Sequence, residues 1–156
     1  MKHTRREFCQ HAGGAGLLAV LTAVCLLRPG VAGAVEWNKA AFETKNLDDA
    51  LTALGATGAT EHAQITLAAS DIAENGAVVP IGVVSTLPLT ESMAVLIEQN
   101  TNLLAAHFTF PEGTLPEVQT RVKMAQTSRV FVLVKAAGAF YFTKKEIIVI
   151  QGGCGD

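Results

Sequence analysis

The feature that most constrains the fold is a change of hydrophobic period. It runs near four before residue 55 and close to two after residue 61. In 62–67, Ala63, Ile65 and Leu67 alternate with His62, Gln64 and Thr66. Successive side chains of an extended strand point to opposite faces, so the pattern predicts a half-buried strand. Further strand-like runs follow at 78–85, 92–99, 103–110, 118–124, 129–136 and 139–151, each bounded by turn chemistry. Asn75-Gly76 and Asn100-Thr101-Asn102 read as turns, 111–116 as a turn-rich loop, and Gly138 as part of a hairpin. Pro80 removes a backbone donor and belongs at a sheet edge or a bulge. The connections are too short for repeated crossover helices, which parallel neighbours need.

Before this region, 37–54 reads as helical in two segments. Trp37, Ala40, Ala41 and Phe42 share one face of the first, and Leu47, Ala50, Leu51 and Leu54 one face of the second. Asn46 or Asp48 is positioned to cap the second segment and Gly55 to end it. About seven short strands after two short helices predict a mainly β fold, an immunoglobulin-like sandwich.

Two runs are apolar on both faces, Val130-Phe131-Val132-Leu133-Val134 and Ile147-Ile148-Val149-Ile150. A sandwich strand needs one apolar face for the core. The second face is covered either by the amino-terminal helices or by another protein, and 130–134 is the candidate partner strand.

The amino-terminal stretch carries targeting chemistry. Thr4-Arg5-Arg6-Glu7-Phe8 is a twin-arginine pair with Phe in register, followed by the apolar segment 17–27 and by small residues at Ala32 and Ala34. These predict a twin-arginine export signal over 1–34, cleaved after Ala34, and a periplasmic destination. The apolar segment is shorter than the ~20 residues that span a bilayer, so no membrane anchor is expected after processing. A lipoprotein reading would acylate Cys25, but Val24 before it is too large. Cleavage leaves about 120 residues, enough for one domain with its own core. They keep eight basic residues (Lys39, Lys45, Arg121, Lys123, Arg129, Lys135, Lys144, Lys145) against every acid except Glu7, and this net acidity argues against nucleic acid.

Cleavage also removes Cys9 and Cys25 and leaves Cys154 alone, in a compartment where cysteines are usually paired. It sits in the arm 152–156, Gly152-Gly153-Cys154-Gly155-Asp156, after the carrier domain 35–151. Glycine explores φ freely, so the arm is expected to be flexible. The alternatives are a thiol on a tether and an uninformative chain end. A nucleophilic cysteine needs a base or cation beside it. Lys144 and Lys145 lie about ten residues back, roughly 30 Å of extended strand. Asp156 disfavours the thiolate. An accessible but unassisted thiol suits a substrate-carrying handle better than an enzyme. His62, His107 and Cys154 offer no ligand pair at close spacing, so no metal and no cofactor are expected. Asp71 and Glu74 precede a turn and read as solvated.

Several stretches resemble one family. The twin-arginine leader, Asp71 to Pro80, Arg121 to Ser128, Val134 to Gly138, Lys145-Glu146 and Gly152-Gly153-Cys154-Gly155 are similar to SoxY, the sulfur-carrier subunit of the periplasmic sulfur-oxidising (Sox) system. The resemblance implies the same sandwich and a heterodimer with a SoxZ-like subunit. It also implies covalent attachment of thiosulfate-derived sulfur to Cys154. A haem-containing enzyme then loads the thiol, a manganese sulfohydrolase releases sulfate and a sulfane dehydrogenase oxidises the remainder; the carrier catalyses none of these steps. The family arm ordinarily ends in Gly-Gly, whereas this chain has Asp156. Asp156→Gly is expected to leave folding unchanged and alter only loading or turnover. The competing classes are an exported interaction module, its Cys154 in an intermolecular disulfide, and a thiol enzyme or metal-transfer protein.

Overall fold

The computed structural model describes residues 38–150. Among the described residues two short helices come first, α1 (Lys39–Phe42) and α2 (Leu47–Ala53), followed by nine strands. Asn38 caps α1, its side chain accepting from the Ala41 amide. Of the two candidate caps for α2, Asn46 performs the role, accepting from the Asp49 amide at 2.8 Å. Gly55 follows α2 at φ +71°, a left-handed conformation that glycine adopts without penalty.

The strands are β1 (Thr60–Glu61), β2 (Ile65–Ala69), β3 (Ile72–Ala73), β4 (Val79–Ser85), β5 (Thr90–Ile97), β6 (Leu104–Thr109), β7 (Glu117–Val122), β8 (Ser128–Ala136) and β9 (Ala139–Val149). Setting aside the two-residue β1 and β3, seven remain, as the alternation predicts. They form two sheets. One has the order β1-β9-β8-β5-β6, with β3 also on β9; the other is β2-β4-β7. The hairpin between β8 and β9 turns at Ala137 and Gly138, both at positive φ (48° and 76°). Two positive φ values suit the primed turns that match strand twist.

The first strand differs from its expected position. Only Ile65 onward pairs with β4, while Thr60 and Glu61 pair in parallel with Tyr141 and Phe142 of β9. The His62 amide donates to the Phe142 carbonyl at 2.9 Å, so the chain leaves one sheet edge there before entering the other. Pro80 lies on the middle strand of its sheet. β2 reaches only Ile81 of β4, however, so Pro80 has Arg121 of β7 as its one cross-strand neighbour. The expected edge environment is thus met locally.

The core is shared between three layers. Between the sheets lie Val79, Ile81, Val83, Met93, Val95, Val122, Met124, Val130, Val132, Val134 and Ile147, all buried. Each such aliphatic side chain contributes roughly 1.5–3 kcal/mol on burial. On the outer face of the larger sheet, Ala41, Ala50 and Ala56 pack with Ala94, Leu96, Leu104 and Leu133, and Phe131 and Phe142 join them. The small alanines let the short helices approach the sheet closely.

This third layer decides the reading of the two doubly apolar strands. Leu133 is buried beneath the helices and Phe131 is half-buried. The segment 130–134 therefore does not offer the free face expected of a partner strand. In 147–150 the outcome is the reverse. Ile147 points into the core at 0% exposure, whereas Ile148 and Ile150 remain 49% and 50% exposed.

Candidate functional site

Cys154, with Gly152, Gly153, Gly155 and Asp156, lies outside the described residues, as does the predicted leader. The described residues nearest to them in sequence are the end of β9 and the segments that grip it.

β9 is held on both flanks at its end. On one side the Ile148 amide donates to the Asp71 carbonyl and the Ile150 amide to the Ala73 carbonyl, both at 2.9 Å. These bonds extend the parallel pairing of Ile72 with Ile148 and of Ala73 with Val149. On the other side, pairing with β8 ends at Ser128 and Ile147. There the hydroxyl of Thr127 accepts from the Val149 amide at 3.0 Å, continuing the strand's partnership beyond the ladder. Beneath, Ile147 anchors in the core and Val149 packs against it.

Glycine 76 completes the grip through size. It is not at positive φ, so the backbone conformation does not require glycine. A Cβ there would lie 2.5 Å from the Met124 carbonyl oxygen and 2.7 Å from Val149 Cγ1. The Gly76 carbonyl accepts from the Met124 amide at 2.7 Å, tying the two segments together. Asn75 makes the local turn, its side-chain oxygen accepting from the Ala77 amide at 2.9 Å. Asn100 braces the opposite wall: its side chain donates to the Lys123 carbonyl (2.7 Å) and accepts from the Ala125 amide (3.0 Å). Between these walls is an open recess of about 470 Å³, bordered by Glu74, Lys123, Met124, Val149 and Ile150.

The charged groups near the root are paired. Lys145 Nζ lies 2.9 Å from Asp71 and also donates to the Ala69 carbonyl. Lys144 pairs with Glu61 at 3.3 Å and sits over the Phe142 ring. The lysines nearest to Cys154 in sequence are thus engaged on the body of the sandwich. Asp71, expected to be solvated, is 85% exposed yet ion-paired.

The two histidines among the described residues lie apart. His62 Nδ1 accepts from the Gln64 amide at 3.2 Å, and its ring stacks edge-on with Tyr141. His107, on β6, borders a separate recess of about 310 Å³ with Glu91 and Lys135, and desolvation holds its imidazole below the usual range. Glu91 is held below its ordinary 4.5, first by the hydrogen bond from Lys135 and then by the Gly138 amide. Among the described residues no three His, Cys, Asp or Glu side chains cluster to hold a metal ion.

The segments that hold the end of β9 were not read from the sequence. A two-residue parallel pairing such as Ile72–Ala73 leaves no periodicity, and Thr127 and Asn100 act through single hydrogen bonds. The family-like stretches 71–80, 121–128 and 145–146 are distant in sequence, and the fold brings the first two against the end of β9, the strand that carries the third.

The family model described as sulfur oxidation protein SoxY matches residues 51–154, spanning these three segments and Cys154. The chain belongs to the SoxY family. Among solved structures it is similar to the sulfur carrier protein SoxY from Chlorobium limicola f thiosulfatophilum, at 34% identity and a TM-score of 0.63, covering 70% of this chain and 96% of that one. A superoxide reductase (neelaredoxin) variant from Ignicoccus hospitalis matches at 12% identity and a TM-score of 0.50, covering 67% and 93%. That likeness concerns the sandwich fold alone. No curated protein matches the chain.

Proposed function

We propose that this SoxY-family chain carries sulfur covalently on Cys154, presenting it to enzymes of sulfur oxidation while supplying no catalysis itself. The observation that carries the reading is the grip on β9. The strand is hydrogen-bonded on one flank up to Ile150 and on the other up to Val149, and after Gln151 comes a sequence that is glycine on both sides of one cysteine. A firmly held root followed by Gly152-Gly153-Cys154-Gly155 is the construction of a tethered carrier, in which tether length sets effective concentration. Engagement of Lys144 and Lys145 on the sandwich supports a thiol that is activated by its partners.

In the proposed cycle, a haem-containing enzyme joins thiosulfate to the thiol. The S–H bond is lost, an S–S bond forms, and one proton and two electrons leave, the electrons being accepted by that enzyme as the oxidant. Water then cleaves the terminal S–SO₃ bond on a manganese sulfohydrolase, releasing sulfate and leaving a persulfide on Cys154. A sulfane dehydrogenase then takes six electrons from the outer sulfur, three waters supplying its oxygens, and a second hydrolysis of the S–SO₃ group so formed releases sulfate and restores the thiol. The chain works as a heterodimer with a SoxZ-like subunit, in the periplasm, after twin-arginine export and removal of 1–34.

The test pairs the purified wild-type chain with Cys154→Ser, in the presence of thiosulfate and the haem-containing enzyme. A thiosulfate adduct on the wild type alone supports the reading. A homodimer split by reductant, with no adduct, would instead make Cys154 the disulfide cysteine of an exported interaction module.

A further inference from the structure

We propose that Ile72, Ile148 and Ile150 form the docking surface for the apolar rim of the enzyme pocket that receives Cys154. This rests on the carrier reading above. All three side chains face solvent, 50%, 49% and 50% exposed, although large aliphatic residues are usually buried. They form one patch. Ile72 and Ile148 are direct cross-strand partners, so their side chains share a face, and Ile150 lies two residues further on that face. Their neighbours in the alternation point the other way: Ala73 and Ile147 are buried and Val149 packs on the core.

The helices account for the remaining apolar residues on this side of the sheet and leave these uncovered. Phe131, Leu133 and Phe142 pack beneath the helical layer. Beyond them a band of ion pairs crosses the sheet, Lys144 with Glu61 and Arg129 with Glu98 in a two-pronged contact at 2.9 and 3.0 Å. The isoleucines lie past that band, and Asp71 and Lys145 neutralise each other at their margin. An apolar centre with a polar margin is the usual anatomy of a protein contact.

The tether selects the occupant. Cys154 is four residues beyond Ile150, and four residues span at most about 14 Å even when fully extended. An enzyme that draws the sulfur on Cys154 into a pocket of comparable depth must bring its rim against the surface around Ile150. Three half-exposed isoleucines offer much less than the roughly 800 Å² per partner of a stable complex. That suits a carrier, which must leave each enzyme after one step. A long-lived subunit contact is the less suited occupant.

The experiment uses the Ile148→Ser/Ile150→Ser double variant and, on a different strand, Ile72→Ser. Two rates are measured for each. One is loading of thiosulfate by the haem-containing enzyme at limiting carrier. The other is reaction of Cys154 with dithiobisnitrobenzoate, a small aromatic disulfide that requires no docking. The surface predicts a fall of about tenfold in kcat/KM for the carrier, mainly through KM, with the small-reagent rate unchanged. Unaltered kcat/KM in both variants overturns it. Equal loss of both rates overturns it too, since the isoleucines would then only position the arm. If sedimentation shows that the variants lose a stable second subunit or a second copy of this chain, that partner is the occupant and the proposal fails. A wild-type chain that takes no adduct overturns the carrier reading, and this surface with it.

Discussion

Replacing Gly76 by Ala tests whether the end of β9 is held by close packing. The new Cβ would meet the Met124 carbonyl oxygen at 2.5 Å and Val149 Cγ1 at 2.7 Å, and the first of these gaps has to open to at least 3.0 Å. The obstacle cannot swing away. It is backbone, its residue's side chain is 2% exposed, and its own amide is bonded to the Gly76 carbonyl. Overpacking of this kind costs about 1–3 kcal/mol. Restricting the unfolded chain returns roughly 0.4–1 kcal/mol. The net expectation is a loss of about 1–2 kcal/mol and a fall in Tm of roughly 4–8 °C for a domain of this size. Urea titration measures it as a lower midpoint with unchanged slope. Gly82→Ala is the matched control, because there the new Cβ meets Ala68 Cβ at 3.6 Å and the Ala68 carbonyl oxygen at 3.8 Å, both ordinary contacts. Its stability should stay within about 0.5 kcal/mol of wild type. Equal stability of the two variants would refute the packing argument.

Thr127→Val keeps the shape of the side chain but removes the acceptor for the Val149 amide. A loss of about 0.5–1.5 kcal/mol is expected, with faster amide exchange at Val149 than at Ile148; exchange unchanged at Val149 would count against the two-sided grip. Glu91→Gln addresses the pair with Lys135. The folded carboxyl holds its proton less tightly than the ordinary 4.5, so the unfolded chain protonates first as pH falls. Stability from Glu91 is therefore fully present above about 4.5 and lost as pH falls through the lowered folded value. The stability difference between wild type and Glu91→Gln should shrink on acidification from pH 7 and with added salt; a difference independent of pH would contradict the assignment.

The fold was legible where burial writes a period into the sequence. Val130, Val132 and Val134 alternate toward the inter-sheet core, and the β8–β9 hairpin is marked by Gly138. Asn46 announces α2 because a cap is local chemistry. Pairing between distant segments was not legible. Thr60–Glu61 and Ile72–Ala73 are too short to show alternation, yet both attach to the free edge of β9. Asn75-Gly76 read as a turn, and Asn75 does make one. The reason for the glycine, however, is the nearness of Met124 and Val149, segments far along the chain. The doubly apolar 130–134 resembled an interface because a sequence does not say how closely two short alanine-rich helices can approach a sheet. Cys154 was the reverse case. The carrier reading of it comes from its glycine neighbours and from the lack of an internal partner once the proposed leader is removed, and it lies outside the described residues, which reach only the end of β9.

The most direct test of the carrier role is intact mass spectrometry of this protein purified from the periplasm of thiosulfate-grown cells, before and after reductant. A carrier should show an adduct of sulfur or thiosulfate mass that reductant removes, mapping to the peptide that contains Cys154, on a chain beginning at Val35. A bare thiol, or only a disulfide-linked homodimer, would contradict it.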